Sequence, residues 1–130
     1  MADILDALCT VSYDPELECV ISTWHGYASS NQFRAICERI LETIQKHGAT
    51  KSISDNREMS IISKPDQDWI LSDFMPRLLE TGYNASATIL PFNHFAKISV
   101  EEIVNKINDR EIRVRYFTRI IDAKQWIKTI

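Results

Sequence analysis

The sequence predicts an α/β fold of order ββαβαβαβα: a five-stranded mixed sheet, first strand antiparallel and the rest parallel, with helices mainly on one face. Three observations lead there. An opening pair of period-2 segments is joined by a short Pro-containing turn, which makes a hairpin. Each later strand is followed by a segment of helical period, so three successive crossovers return the chain in the same direction. Finally, strand positions Thr10, Ser12, Ser22, Ser52, Ser54, Ser86, Thr88, Arg113 and Arg115 include whole same-parity polar pairs. A sheet covered on both faces reads instead as nearly continuous Val, Ile and Leu.

Leu8 to Tyr13 alternates Cys9, Val11 and Tyr13 against Leu8, Thr10 and Ser12. Asp14-Pro15-Glu16 turns the chain, because proline presets φ and aspartate caps the bend. Glu18 to Trp24 is the returning strand. The first long helix has the clearest start in the chain: Ser29 and Gln32 form a capping box. Phe33, Ile36, Cys37, Ile40, Leu41 and Ile44 then make one apolar stripe, and Gly48 ends the helix after Lys46 and His47.

Ala49 to Asp55 reads as a strand from its place between two helices, Ile53 being its only large apolar residue. A polar loop follows. Ser63 caps the second long helix, with Pro65 and Asp66 in its first turn. Its stripe is Trp69, Ile70, Phe74, Leu78 and Leu79, with Leu71 and Met75 off it. Pro76 has no N–H to donate, which predicts a kink or restart near Asp73. Gly82 closes the helix.

Asn84 to Leu90 is the fourth strand, stopped by Pro91. Asn93 to Ile107 is helical, with Ser99 a candidate internal restart. Glu111 to Phe117 is the fifth strand, and Arg113 and Arg115 on one of its faces suggest an edge. Ile120 to Ile130 is the last helix, anchored by Ile121, Trp126 and Ile127.

The 130 residues fit a single domain over 1–130, and no linker, internal repeat or low-complexity segment divides them. The chain is 45% hydrophobic and 25% charged, with a formal net charge of −3. That balance gives no reason to expect nucleic-acid or anionic-membrane binding. No apolar run approaches the roughly 18 residues of a transmembrane segment. Met1-Ala2-Asp3-Ile4 carries no secretory leader, and Cys9, Cys19 and Cys37 fall at unrelated spacings. Reduced thiols in a cytoplasmic protein are the expectation, although Cys9 and Cys19 could face each other across the hairpin. Cys37 falls on the apolar stripe and reads as an inert core thiol.

This order of elements resembles the SpoIIAA-like (STAS) fold and its CRAL-TRIO-like relatives, in particular small stand-alone bacterial proteins of that superfamily. The segments that carry the likeness are TWHGYASSNQF (Thr23 to Phe33), SDNREMSIISKPDQDWI (Ser54 to Ile70), FAKISVEEIVNKI (Phe95 to Ile107) and RYFTRIIDAKQWI (Arg115 to Ile127). The resemblance implies a non-enzymatic interaction or regulatory module that works through the loop and helix after the third strand. In STAS proteins that region carries a phosphorylatable serine. Here it contains Ser60 and Ser63, but the family's Asp-Ser-Ser-Gly type sequence is absent.

The residues themselves offer few signatures of chemistry. GxGxxG, Walker, GxSxG and HExxH patterns are all missing, so no cofactor or metal is expected. The densest polar set is Asp55, Asn56, Arg57, Glu58, Asp66 and Asp68. It reads as a solvated loop with local ion pairs, as carboxylates at a strand end that could bind a divalent cation, or as an enzymatic site of Asp55, Arg57 and Asp66, with His94 nearby. His25, His47 and His94 make no ligand pair. The apolar excess is the other candidate. Trp69, Leu71, Phe74 and Met75 wrap much of one helix, and Phe92 and Phe95 follow the next strand. Core packing explains such a surface; so does a groove for a small lipid-like ligand, a protein partner or a second copy in a homodimer.

Overall fold

The computed structural model describes residues 4–130. Five strands, β1 (Cys9–Asp14), β2 (Cys19–Gly26), β3 (Lys51–Met59), β4 (Ala85–Ile89) and β5 (Arg113–Phe117), lie in sequence order across one sheet. β1 is antiparallel to β2 and the other three junctions are parallel. The hairpin forms as its turn chemistry dictates: Asp14 Oδ1 accepts from the backbone N–H of Glu16 and Leu17 at 2.9 and 3.1 Å.

The helices are α1 (Ile4–Leu8), α2 (Ser30–His47), α3 (Lys64–Trp69), α4 (Met75–Glu80), α5 (His94–Val104) and α6 (Ile120–Thr129). α1 was not anticipated from sequence; it packs Leu5 and Leu8 against the core. Crossovers that step one strand at a time in one direction place their helices on the same face. Accordingly α2 (Phe33, Ile36), α4 (Leu78) and α5 (Val100, Ile103) share one core. Among the described residues α6 is the helix on the opposite face, setting Ala123 and Ile127 on Cys19, Ile53, Ala87 and Ile89. Small alanines on both sides of that contact let α6 lie close to the sheet.

α2 starts and stops as its sequence requires. Ser29 and Gln32 form both hydrogen bonds of the capping box, and Gly48 takes the left-handed conformation at φ 62°. The restart expected near Asp73 takes a specific form. α3 passes into a π-helical turn over Ile70–Phe74, in which the Met75 N–H reaches back to the Ile70 carbonyl, and α4 begins with Pro76 in its first turn. Proline supplies no N–H to the Ser72 carbonyl, and the wider turn accommodates that loss.

Several expectations need correction. Asn56, Arg57 and Glu58 belong to β3 and not to a loop, because the β2–β3 ladder runs on to pair His25 with Glu58 and Gly26 with Met59. Ser99 does not restart α5; its Oγ donates to the Ala96 carbonyl at 2.7 Å and the helix continues. Ile121 is 50% exposed and does not anchor α6, which is held by Ala123 and Ile127 with Trp126 half-buried. Cys9 and Cys19 do not face each other: Cys9 pairs with Trp24 and Cys19 with Asp14, and the two enter different cores. Among the described residues all three cysteines are free thiols, and no helix is long and apolar enough to cross a membrane.

The polar strand residues carry the most consequential correction. Thr10, Ser12, Arg113 and Arg115 are exposed on the edge strands, as expected. Ser22, Ser52, Ser54, Ser86 and Thr88 do the opposite: they face the helix-covered side.

Candidate functional site

A cavity of about 150 Å³ lies between the sheet and the α2–α5 layer. Its floor follows from register. Ser22 on β2 pairs with Ser54 on β3, which pairs with Thr88 on β4. One step along the strands, Ser52 pairs with Ser86. Strand alternation sends all five side chains to one face, where residues this small leave space that Val or Ile would fill. The roof is apolar: Phe33, Cys37 and Ile44 from α2, Ile70 and Phe74 from the π turn, Leu78 from α4, and Val100 and Ile103 from α5. Trp24 and Met59 close the end where β2 and β3 finish.

The floor carries a defined hydrogen-bond pattern. Ser52 Oγ and Tyr83 Oη lie 2.6 Å apart, and Ser86 Oγ and Thr88 Oγ1 lie 3.0 Å apart. Ser54 Oγ donates to Asn56 Oδ1 at 2.7 Å. Ser22 and Asn56 are each only 4% exposed and both line the cavity. Among the described residues the Ser22 hydroxyl and the Asn56 amide nitrogen have no hydrogen-bond partner. Both groups border the cavity and are open to whatever fills it, whereas the fully buried side-chain polar atom without a partner among the described residues is Arg77 Nε, outside the cavity.

A bulge fixes this end of the floor. Asn56 and Arg57 together stand opposite Trp24, where the β2–β3 register shifts. The extra residue keeps Asn56 on the cavity side and returns Met59 to it.

Asp55 and Asp66 belong to separate arrangements. Alternation puts Asp55 on the face opposite Ser54 and Asn56. There Arg57 donates to both carboxylate oxygens, at 2.9 and 2.7 Å. Burial pushes the Asp55 carboxyl up, but the Arg57 hydrogen bonds and charge outweigh it and hold it below the usual range. Asp66 lies on the other side of the sheet, in α3. Ser30 Oγ, Arg34 Nε and Ser63 Oγ donate to it at 2.6, 3.0 and 3.0 Å. Burial opposes its ionisation too, and these three donors again win. Asp66 thereby ties the first turn of α2 to that of α3. The structure does not bring Asp55, Arg57 and Asp66 together, and His94 is an exposed residue of α5 packed edge-on against Phe95.

The remaining candidates divide. Asn56, Phe74 and Met75 line the cavity. Trp69 does not; it stacks on Phe74 with ring centroids 5.6 Å apart, under the Arg34 guanidinium at 5.1 Å. Leu71 is half-buried against the core. Phe92 and Phe95 are 77% and 66% exposed. Ser63 is the N-cap of α3, its Oγ accepting from the Asp66 N–H, and the Ser60 N–H donates to the Gly26 carbonyl. Among the described residues no group of three or more His, Cys, Asp or Glu side chains could hold a metal ion.

Comparison with known proteins finds no relative: no family model, no curated protein and no solved structure matches the chain.

Sequence reasoning missed Ser22, Ser52, Ser54, Ser86, Thr88 and Tyr83 as site residues. The signal was present in the run of small polar residues at matching strand positions. What sequence did not fix was which face they occupy.

Proposed function

We propose that the chain is a binding protein for a small, largely apolar molecule held in the cavity between the sheet and α2–α5. One observation carries the reading: an apolar cavity of about 150 Å³ whose polar floor includes Ser22 Oγ and Asn56 Nδ2, which border it without a hydrogen-bond partner among the described residues. An empty void of that size costs about 3–4 kcal/mol at 24 cal/mol per Å³. Domains retain only about 5–15 kcal/mol of net stability. Filling the space with Val or Ile on the central strands would recover much of that loss, so the small floor residues favour a retained space. An interior site with a few convergent polar groups is the usual form of a small-molecule pocket. The resemblance of the sequence to CRAL-TRIO-like proteins belongs to this reading, and its STAS-like resemblance to the second reading below.

The test is a titration of the labelled protein with fluorobenzene, followed at the backbone amides of Ser22, Ser54 and Thr88. Saturable shifts confined to the cavity support the reading. Shifts that fail to saturate, or that scatter over the surface, refute it. Native mass spectrometry of the gently purified protein would then identify a retained natural ligand by its added mass.

A second reading is favoured by a different surface. Ile61, Phe92 and Phe95 are exposed near the ends of β3 and β4, where the Phe92 N–H donates to the Arg57 carbonyl. Exposed large apolar groups in one region mark protein contacts more often than isolated ones do. On this reading the chain is an interaction module acting next to the β3–α3 segment, through a protein partner or a second copy. Light scattering with a pull-down from source lysate tests it. A monomer that retains nothing over a range of salt concentrations counts against it.

A further inference from the structure

We infer that the cavity selects a neutral one-ring molecule bearing a hydroxyl group, of the phenol class; this rests on the small-molecule reading above. Size, charge and hydrogen-bond complementarity each narrow the choice.

An apolar space of about 150 Å³ matches the volume that takes up benzene. Among the described residues no Asp, Glu, Lys, Arg or His lines the cavity, so a charged ligand would be buried without a counter-charge from them, which proteins avoid. The aromatic rings of Trp24, Phe33 and Phe74 in the wall suit offset and edge-to-face contacts with another ring.

The polar floor then specifies the substituent. Ser54 spends its only proton on Asn56 Oδ1, so its oxygen has lone pairs to accept with and nothing left to donate. The Asn56 amide nitrogen is a donor without an acceptor among the described residues, and the Ser22 hydroxyl can serve in either sense. Ser22 and Ser54 are register neighbours, and Asn56 lies two residues beyond Ser54 on the same face. Three groups at one end of the floor thus offer both an acceptor and a donor. A ligand hydroxyl answers both at once, donating to Ser54 Oγ and accepting from Asn56 Nδ2, with Ser22 as the flanking partner. A carbonyl could only accept, a hydrocarbon would leave every group unpaired, and a carboxylate would bring the uncompensated charge.

Fluorine NMR with 4-fluorophenol, 4-fluorotoluene and 4-fluorobenzoate tests this on the intact protein. The expected result is saturable binding of 4-fluorophenol at least about tenfold tighter than 4-fluorotoluene, as for a buried site whose polar groups go unpaired with the analogue. 4-Fluorobenzoate should not bind measurably. Ser22→Ala should cut the preference for 4-fluorophenol over 4-fluorotoluene about threefold or more, and a cooperative urea transition of the variant verifies that it is folded. If the two neutral probes bind equally well, the hydroxyl assignment is overturned while the cavity reading stands. If no probe binds, because the space holds water only, both fall.

Discussion

Ser22 on β2 stands directly beside Ser54 on β3 in the parallel ladder, and both side chains face the cavity under α2. Two neighbouring hydroxyls at the centre of a sheet are poor core packing. A β-branched residue at either position would fit the pleated surface better. Ser22 makes no hydrogen bond to the other described residues, so replacing it breaks none of theirs. Ser22→Val should therefore stabilise the protein by about 1 kcal/mol, as cavity-filling substitutions do, and should abolish the saturable fluorobenzene shifts. Urea denaturation and the same titration check the two halves. A variant that is stabilised yet still binds would place the ligand elsewhere.

The Asp66 clamp predicts a pH dependence. Its folded carboxyl titrates below the ordinary value, as does that of Asp55. A depressed folded value means the unfolded chain binds protons first as pH falls. The stabilisation is thus fully present above about pH 4, where unfolded carboxylates are ionised. It is lost as pH falls through the folded value. Asp66→Asn removes the charge that Ser30, Ser63 and Arg34 converge on. It should cost about 1–3 kcal/mol at pH 7, toward the lower end because Arg34 is partly exposed and screened. Denaturant midpoints of the variant should also fall less than those of the natural protein between pH 5 and pH 3 (on the order of the acid range set by those carboxyls). Parallel pH curves would show that Asp66 is not a source of the dependence.

The fold was legible where chemistry is local. Ser29, Gln32 and Gly48 bound α2 as capping rules require, and Asp14 closes the hairpin through its own carboxylate. The site was less legible because it depends on register. Ser22, Ser54 and Thr88 are far apart in sequence and meet only when three strands align. Their polarity suggested an uncovered sheet face, a sound inference for Arg113 and Arg115 on the edge. In the centre the same polarity marks a cavity instead. Asn56 reads from sequence as a loop residue, since neither the bulge opposite Trp24 nor the continued pairing beyond it can be read from propensity. Pro76 did announce a break, but whether a helix answers proline with a kink or a π turn is decided by the packing of Ile70, Phe74 and Leu78.

The three cysteines give a measure of how closed the interior is. Burial pushes the Cys9 thiol up to about 12 and the Cys19 thiol up to about 11, and raises Cys37 as well. A thiol of the Cys19 kind is ionised in only about one molecule in a thousand at pH 8, and the thiolate is the nucleophile. Ellman's reagent at pH 8 should therefore titrate no thiol in the native protein and three in urea. Cys37 also lines the cavity. A small neutral methanethiosulfonate should modify it slowly, at a rate set by opening of the α2–α4 layer, and 4-fluorophenol should slow that reaction further. Rapid native modification of any of the three would contradict the burial described here.

The exposed aromatic pair separates the two functional readings. Phe92 and Phe95 flank the start of α5, and neither lines the cavity. Their side chains contribute little to the core, so the double substitution Phe92→Ser, Phe95→Ser should change stability by less than about 0.5 kcal/mol, in the range of ordinary surface changes. The cavity should take up fluorobenzene unchanged. If these residues form a contact surface, self-association or partner capture should weaken at least about tenfold, since buried aromatic anchors dominate protein interfaces. Sedimentation at several concentrations measures this for a second copy. A large loss of stability would instead place Phe92 and Phe95 in the packing of the β4–α5 turn. Unchanged stability with unchanged association would leave the cavity as the working part of the molecule.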